Sequence, residues 1–137
     1  MFSLIITIIS IALVAALAVA SIYYGGNAFT KGGDSAKAAQ YINEGQQIAG
    51  AVTLANADAA VHAAQADLVT GQYLTQVISD YSTNTSGSFV DAAAAVSVNV
   101  CAAVNKKANL GATVAKATDI KVYGCDTTTN LVSYKLQ

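Results

Sequence analysis

Three kinds of side chain in this sequence have types suited to chemistry: two cysteines, Cys101 and Cys125, a single histidine, His62, and a scatter of serines and aspartates. The cysteines are not in CxxC spacing and His62 is far from both in sequence, so a metal site has little support. Two cysteines in a small exported domain pair by default as a disulfide. Closing a loop of about 25 residues would stabilise the fold by roughly 3–4 kcal/mol on a chain-entropy estimate. His62 is expected in an Ala-rich helix between Val61 and Ala63 and reads as an exposed or helix-packed histidine. No GxSxG elbow or SxxK occurs. Gly25-Gly26 and Gly32-Gly33 fit neither GxGxxG nor GxxxxGK[ST]. The carboxylates stand singly, without the paired placement that glycoside hydrolysis needs. The seven tyrosines read as packing residues. The expectation is a protein that is not an enzyme, with no catalytic residue, cofactor or metal.

The elements around these residues divide the chain between two solvents. Of 137 residues, 54% are hydrophobic and only 11% charged, below the charge of an ordinary soluble domain. The excess is concentrated: no charged side chain occurs before Lys31, and Met1–Tyr24 is apolar apart from Ser3, Thr7, Ser10 and Ser21. Net charge is −1 with no arginine, which argues against nucleic acid as a partner. The charges are segregated. Asp34, Glu44, Asp58, Asp67, Asp80 and Asp91 precede Val100 with Lys37 alone among them, whereas Lys106, Lys107, Lys116, Lys121 and Lys135 outnumber Asp119 and Asp126 beyond it. This reads as a solvated surface, or as acid-to-base docking between neighbouring copies, which would set register more than affinity.

As a helix, the first 24 residues span about 36 Å, enough to cross a bilayer. The segment has no basic n-region and no cleavage site of secretory type. A start that is apolar from Met1 looks like a mature terminus left by earlier processing. Ala12, Ala16 and Ala20 form a small-xxx-small stripe that lets helices approach closely. Ser3, Thr7 and Ser10 fall on one face, where their hydroxyls can bond backbone carbonyls or a neighbouring helix. Tyr23 and Tyr24 close the run where an interfacial belt would sit.

The glycine pairs Gly25-Gly26 and Gly32-Gly33 predict a break or extended linker over 25–33. Asp34 and Ser35 are N-cap candidates for a second helix, carried by Ala38, Ile42, Ile48, Val52 and Leu54. An Ala-rich helix that continues or restarts at Asn56–Asp58 is expected to end near Thr70-Gly71. Gln72–Asp80 reads as a turn and short helix, and Tyr81–Ser88 as a loop holding an Asn84-Thr85-Ser86 sequon. Phe89–Ala95 reads as a strand and Val98–Leu110 as a short helix with Cys101 and Val104 on one face. Asp119–Tyr123 and Leu131–Leu136 alternate with period two and predict antiparallel strands about a turn at 124–130. The disulfide would tie the short helix to this hairpin. The expected fold is α+β: an N-terminal helix over 1–55 in three parts (1–24, 25–33 and 34–55), then a head over 56–137 with a short antiparallel sheet.

The start Met1-Phe2-Ser3-Leu4-Ile5, the long N-terminal helix and the small disulfide-bearing head together resemble type IV pilins. Ala36–Asn43 looks like the pilin helix leaving the membrane, and Gln72-Tyr73-Leu74 is similar to a short segment that follows it. Cys101-Ala102-Ala103-Val104-Asn105-Lys106-Lys107 with Tyr123-Gly124-Cys125 looks like the disulfide-bounded region of the type IVb subgroup. Two features depart from the family. Leu4, Ile5 and Ile6 stand where members carry a glutamate, and no helix-breaking Gly or Pro lies within the first 24 residues. Archaeal-type filament subunits likewise often lack that acid, while the disulfide region favours the bacterial form.

The resemblance implies a major pilin that forms a homo-oligomeric helical filament through its apolar helix, with core packing at Ser3, Thr7, Ser10, Ala12, Ala16 and Ala20. It implies a hinge at Gly25, Gly26, Gly32 and Gly33, and processing and methylation at Met1. It further implies an inner-membrane precursor, a prepilin peptidase and pilus assembly machinery as partners, and a final place in an adhesive surface fimbrium. Burying about 1,000 Å² of helix per subunit would contribute on the order of 25 kcal/mol before ordering costs. The competing readings are a membrane-anchored periplasmic assembly protein, a pseudopilin, an archaeal-type pilin and, more remotely, a viral capsid or fusion subunit.

Overall fold

The computed structural model describes residues 1–60 and 62–136. The chain forms two compact units, Met1–Gly33 and Asp34–Gln137. The elements are α1 (Phe2–Ala57), α2 (Gln65–Thr70), β1 (Phe89–Asp91), α3 (Val98–Lys107), α4 (Lys116–Asp119), β2 (Tyr123–Asp126) and β3 (Leu131–Lys135). This is the expected α+β class, with a long apolar N-terminal helix, a short antiparallel sheet and a Cys101–Cys125 disulfide.

Helix α1 runs unbroken through Gly25, Gly26, Gly32 and Gly33, so the linker expected over 25–33 is helical. Glycine costs only about 1 kcal/mol relative to alanine within a helix, and without proline the i→i−4 ladder is not interrupted. Thr30 Oγ1 adds bonds back to the carbonyls of Gly26 and Asn27 at 3.1 and 3.2 Å. Asp34 and Ser35 therefore lie inside the helix, not at a cap. The boundary expected at 55/56 also moves: the second unit takes in α1 from Asp34, because Ala38, Ile42, Ile48, Ala51, Val52 and Ala55 are buried in its core.

Helix α1 ends at Ala57, not as the start of a longer Ala-rich helix. Ala59 takes a left-handed conformation (φ 53°) and Ala60 N–H closes on the Ala55 carbonyl at 2.8 Å, a Schellman-like stop built without glycine. His62 lies beyond this stop in non-helical chain, and Val61 lies outside the described residues. The short helix α2 ends at Gly71 as expected. The stretch 72–80 holds turns and bends but no helix.

The sheet order is β1-β3-β2, antiparallel throughout, with Val90 opposite Tyr134 and Tyr123 opposite Tyr134. Strand β1 covers only the first part of the expected 89–95 run. The strand expected over 119–123 is displaced to 123–126. Asp119 is drawn into α4, where its Oδ2 accepts from Ala115 N–H at 2.8 Å, so the alternation at 119–123 loses to a local cap. Cys125 consequently lies within β2 rather than after it.

One core cluster gathers Ile48, Val52, Leu68, Leu74, Tyr81 and Val90 against Tyr134 and Leu136. A second gathers Ala38, Val100, Cys101, Val104, Cys125 and Val132. Gly45 lets the sheet approach α1: a Cβ there would meet Tyr134 Cδ2 at 2.7 Å and the Tyr81 hydroxyl at 2.9 Å.

Candidate functional site

The first unit carries the feature with the largest chemical consequence. None of its residues is buried. Ile5, Ile9, Leu13, Leu17 and Ile22 are all more than half exposed. An 18-residue window in α1 reaches a mean hydropathy of 2.8 with none of it buried. Apolar groups surround the whole circumference of this stretch, so no face is left polar for water. An ordinary soluble helix hides a single stripe and wets the rest.

The polar atoms of this stretch make few demands on a partner. Thr7 Oγ1 donates to the Ser3 carbonyl at 2.7 Å, Ser10 Oγ to Ile6 at 2.8 Å and Ser21 Oγ to Leu17 at 2.8 Å. Such i→i−4 bonds satisfy the hydroxyls within the helix itself, without a solvent partner. Ala12, Ala16 and Ala20 lie at helical spacing on exposed backbone. A Cβ on any of Gly25, Gly26, Gly32 or Gly33 would meet nothing within 4 Å, so packing within the chain does not explain those glycines. Met1 stands fully exposed at the start of the stretch.

The second unit is organised around the disulfide. Cys101 on α3 and Cys125 on β2 are joined with a Cα–Cα separation of 5.3 Å. Beside them Asn105 pairs with both backbone groups of Cys125: its Nδ2 donates to the carbonyl at 2.9 Å and its Oδ1 accepts from the N–H at 2.8 Å. A side chain on α3 thus does what another strand would do for the sheet edge at β2. Ser97 caps α3 by accepting from Val100 N–H.

Two buried polar residues that periodicity did not single out hold this unit together. Asn105 is one. Gln65 is the other: its Nε2 donates to the Ser82 carbonyl at 2.8 Å and its Oε1 accepts from Ile78 N–H at 2.8 Å. Gln65 is fully buried, and it fastens the irregular stretch 78–82 to α2. Glutamine at the first position of a short helix carries no sequence signal of that role.

Among the tyrosines, Tyr81 is buried and its hydroxyl donates to the Tyr41 carbonyl at 2.7 Å. Burial, with Glu44 nearby, pushes its phenol well above the usual tyrosine range. Tyr73 donates to Asp58 Oδ2 at 2.9 Å, and that bond holds its phenol proton too. Asp126 accepts from Thr128 N–H at 2.7 Å and from Thr129 N–H, which lowers its carboxyl pKa and locks the turn into β3. His62 Nε2 contacts Asn56 Oδ1, and its carbonyl accepts from Thr85 Oγ1. In the sequon, Asn84 Oδ1 accepts from both the N–H and the hydroxyl of Ser86.

The fold therefore brings Cys101 to Cys125, while Met1, Ser3, Thr7, Ser10, the three alanines and the four glycines belong to the first unit. Among the described residues no group of three His, Cys, Asp or Glu side chains is gathered as a metal site would require. Comparison with protein-family models, with curated proteins and with solved structures returned no match.

Proposed function

We propose that this chain is a structural subunit that polymerises through Met1–Tyr24 into an extracellular helical filament of the type IV pilus kind. The observation that carries the reading is the uncovered apolar surface of the first unit, all of it accessible and none of it buried against the chain's own residues. Exposed apolar surface on this scale marks an interaction site. Copies of the same helix would cover it in the filament, and the inner membrane would cover it before assembly. The self-bonded hydroxyls of Thr7, Ser10 and Ser21 suit either dry environment. The small side chains at Ala12, Ala16 and Ala20 and the open glycines further on suit close approach by another helix.

In this reading a prepilin peptidase processes the precursor, and the pilus assembly machinery moves the subunit from membrane to filament. Ile5 stands where the family's assembly glutamate would be, so assembly rests on apolar packing and contacts of the second unit. The test is electron microscopy of material sheared from cells expressing the protein. Thin filaments composed of this chain support the reading, and a chain retained entirely in the membrane fraction refutes it.

One observation favours a second reading. Tyr23 and Tyr24 are exposed at the end of the apolar run, as in a helix whose end rests at a membrane surface. A permanently anchored assembly protein or pseudopilin would use the same stretch only in lipid. Membrane retention without filaments would select it.

A further inference from the structure

Charge in the second unit is unevenly partnered. Lys116 pairs with Asp91, the one ion pair among the described residues. Glu44 and Asp80 have no cation, although they stand together. The Gln40 amide donates to Glu44 Oε1 at 2.8 Å and to Asp80 Oδ2 at 2.9 Å. One neutral group is thus shared by two carboxylates. The remaining Glu44 oxygen, Oε2, is enclosed and has no hydrogen-bond partner. Adjacent carboxylates repel, and an enclosed oxygen without a donor leaves desolvation uncompensated. A cation arriving at Asp80 would offset the repulsion between the two carboxylates.

The same unit holds the complement. Lys106, Lys107 and Lys121 are exposed and have no ionic partner. Tyr123 ties two of them into one surface, since its hydroxyl donates to the Lys107 carbonyl at 3.1 Å two residues after Lys121. Two grooves run beside them, one bordered by Val98 and Lys106, the other by Lys107, Lys121 and Val122, and both are walled by Leu110. No carboxylate lines either groove. Val98 is 69% exposed and Val122 51% exposed, so the basic shelf also offers apolar contact. A position in the last turn of α3 suits Lys106 and Lys107 to the helix dipole, but that account does not extend to Lys121.

We propose that a second copy of this chain docks its Glu44–Asp80 pair onto the Lys106–Lys107–Lys121 shelf. The inference rests on the self-assembly reading and adds to it the contact that sets register. Where the two patches of one subunit engage different neighbours, the contact is heterologous and repeats along an open assembly, as the filament reading requires. Charge pairs at such a surface steer and align more than they bind; apolar helix burial supplies the affinity.

The experiment is charge reversal in the full-length chain, read as filament yield at physiological salt. Asp80→Lys and Lys107→Glu are each expected to lower yield by at least about tenfold through like-charge contact. Both changes in one chain are expected to restore most of it. Unaltered thermal unfolding of the detergent-solubilised variants checks that they fold. A second measurement needs no variant: a carbodiimide activates a carboxylate, a lysine Nζ attacks the activated carbon, and an amide forms as the urea leaves. In filaments grown from mixed isotopically light and heavy chains, light-to-heavy links from Asp80 or Glu44 to Lys106, Lys107 or Lys121 are expected. Wild-type filaments with normally assembling single variants, or with no such links, would overturn the contact alone. Absence of filaments from the wild-type chain would overturn the assembly reading, and this contact with it.

Discussion

Helix α1 contributes to both compact units, and its two parts use hydrophobic residues in opposite ways. From Asp34 onward, Ala38, Ile42, Ile48, Val52 and Ala55 are buried, while Gln46 and Gln47 stay exposed. There the helix is a wall of a core, held by tertiary packing as most protein helices are. Before Gly33 the Ile and Leu side chains are exposed on every side of the helix. The comparison teaches that the same secondary structure can be finished by its own fold or left to be finished by something else. In the proposed function the first unit belongs to the second kind.

The comparison can be broken most forcefully by a charge in the first unit. Ala16→Asp places a carboxylate on the apolar surface at about 3 kcal/mol per subunit in a lipid-like medium. It is expected to abolish filaments and leave thermal unfolding of the second unit unchanged. Equal loss of both would mean that the two units fold together. In the second unit the largest effect is expected from Cys101→Ser, which removes roughly 3–4 kcal/mol by freeing the closed loop. Urea midpoints of oxidised and reduced protein measure it, and coincident midpoints would contradict a stabilising role.

Glycine substitutions sharpen the contrast with opposite signs. Gly45→Ala drives a Cβ into Tyr134 and the Tyr81 hydroxyl and should cost about 1–3 kcal/mol by overpacking. Gly25→Ala meets nothing within 4 Å and should favour the isolated helix by up to about 1 kcal/mol. Thermal unfolding reads the first, and helical circular dichroism in detergent reads the second. Reduced filament yield from Gly25→Ala despite the firmer helix would place a neighbour against that position.

The remaining effect is expected only in alkali. Burial raises the Tyr81 phenol above its unfolded value of 10.0, so the folded state disfavours the phenolate. The stabilisation is fully present below about pH 10 and is lost as pH rises from there towards the folded-state value, by at most about 1.4 kcal/mol per pH unit. Urea titrations of wild type and Tyr81→Phe check the sign. The phenylalanine variant, though weakened by loss of the bond to the Tyr41 carbonyl, should show the shallower alkaline decline.

Much of this architecture was legible because it rests on local periodicity or composition. The uncharged run before Lys31, the α3 face carrying Cys101 and Val104, and the alternation over 131–136 each point to the element observed. The glycine pairs misled because glycine reports a local cost, while helix continuity depends on flanking residues and the absence of proline. Asp119 misled because its side chain caps α4 through Ala115 N–H, a bond that alternation cannot register. Gln65, Asn105 and the Glu44–Asp80 pair were not legible, since each takes its role from residues far away in sequence. The candidate surface over Met1–Tyr24 was visible at once, because no fold is needed to see that such a segment lacks water-compatible faces.

The measurement that tests the central claim most directly is a helical reconstruction by electron cryomicroscopy of filaments built from the full chain. Residues 1–24 are expected at the filament axis, packed against identical helices from neighbouring subunits, with the disulfide-bearing units outside. Filaments whose 1–24 helices make no contact with one another, or whose axis is formed by the 34–136 units, would contradict it.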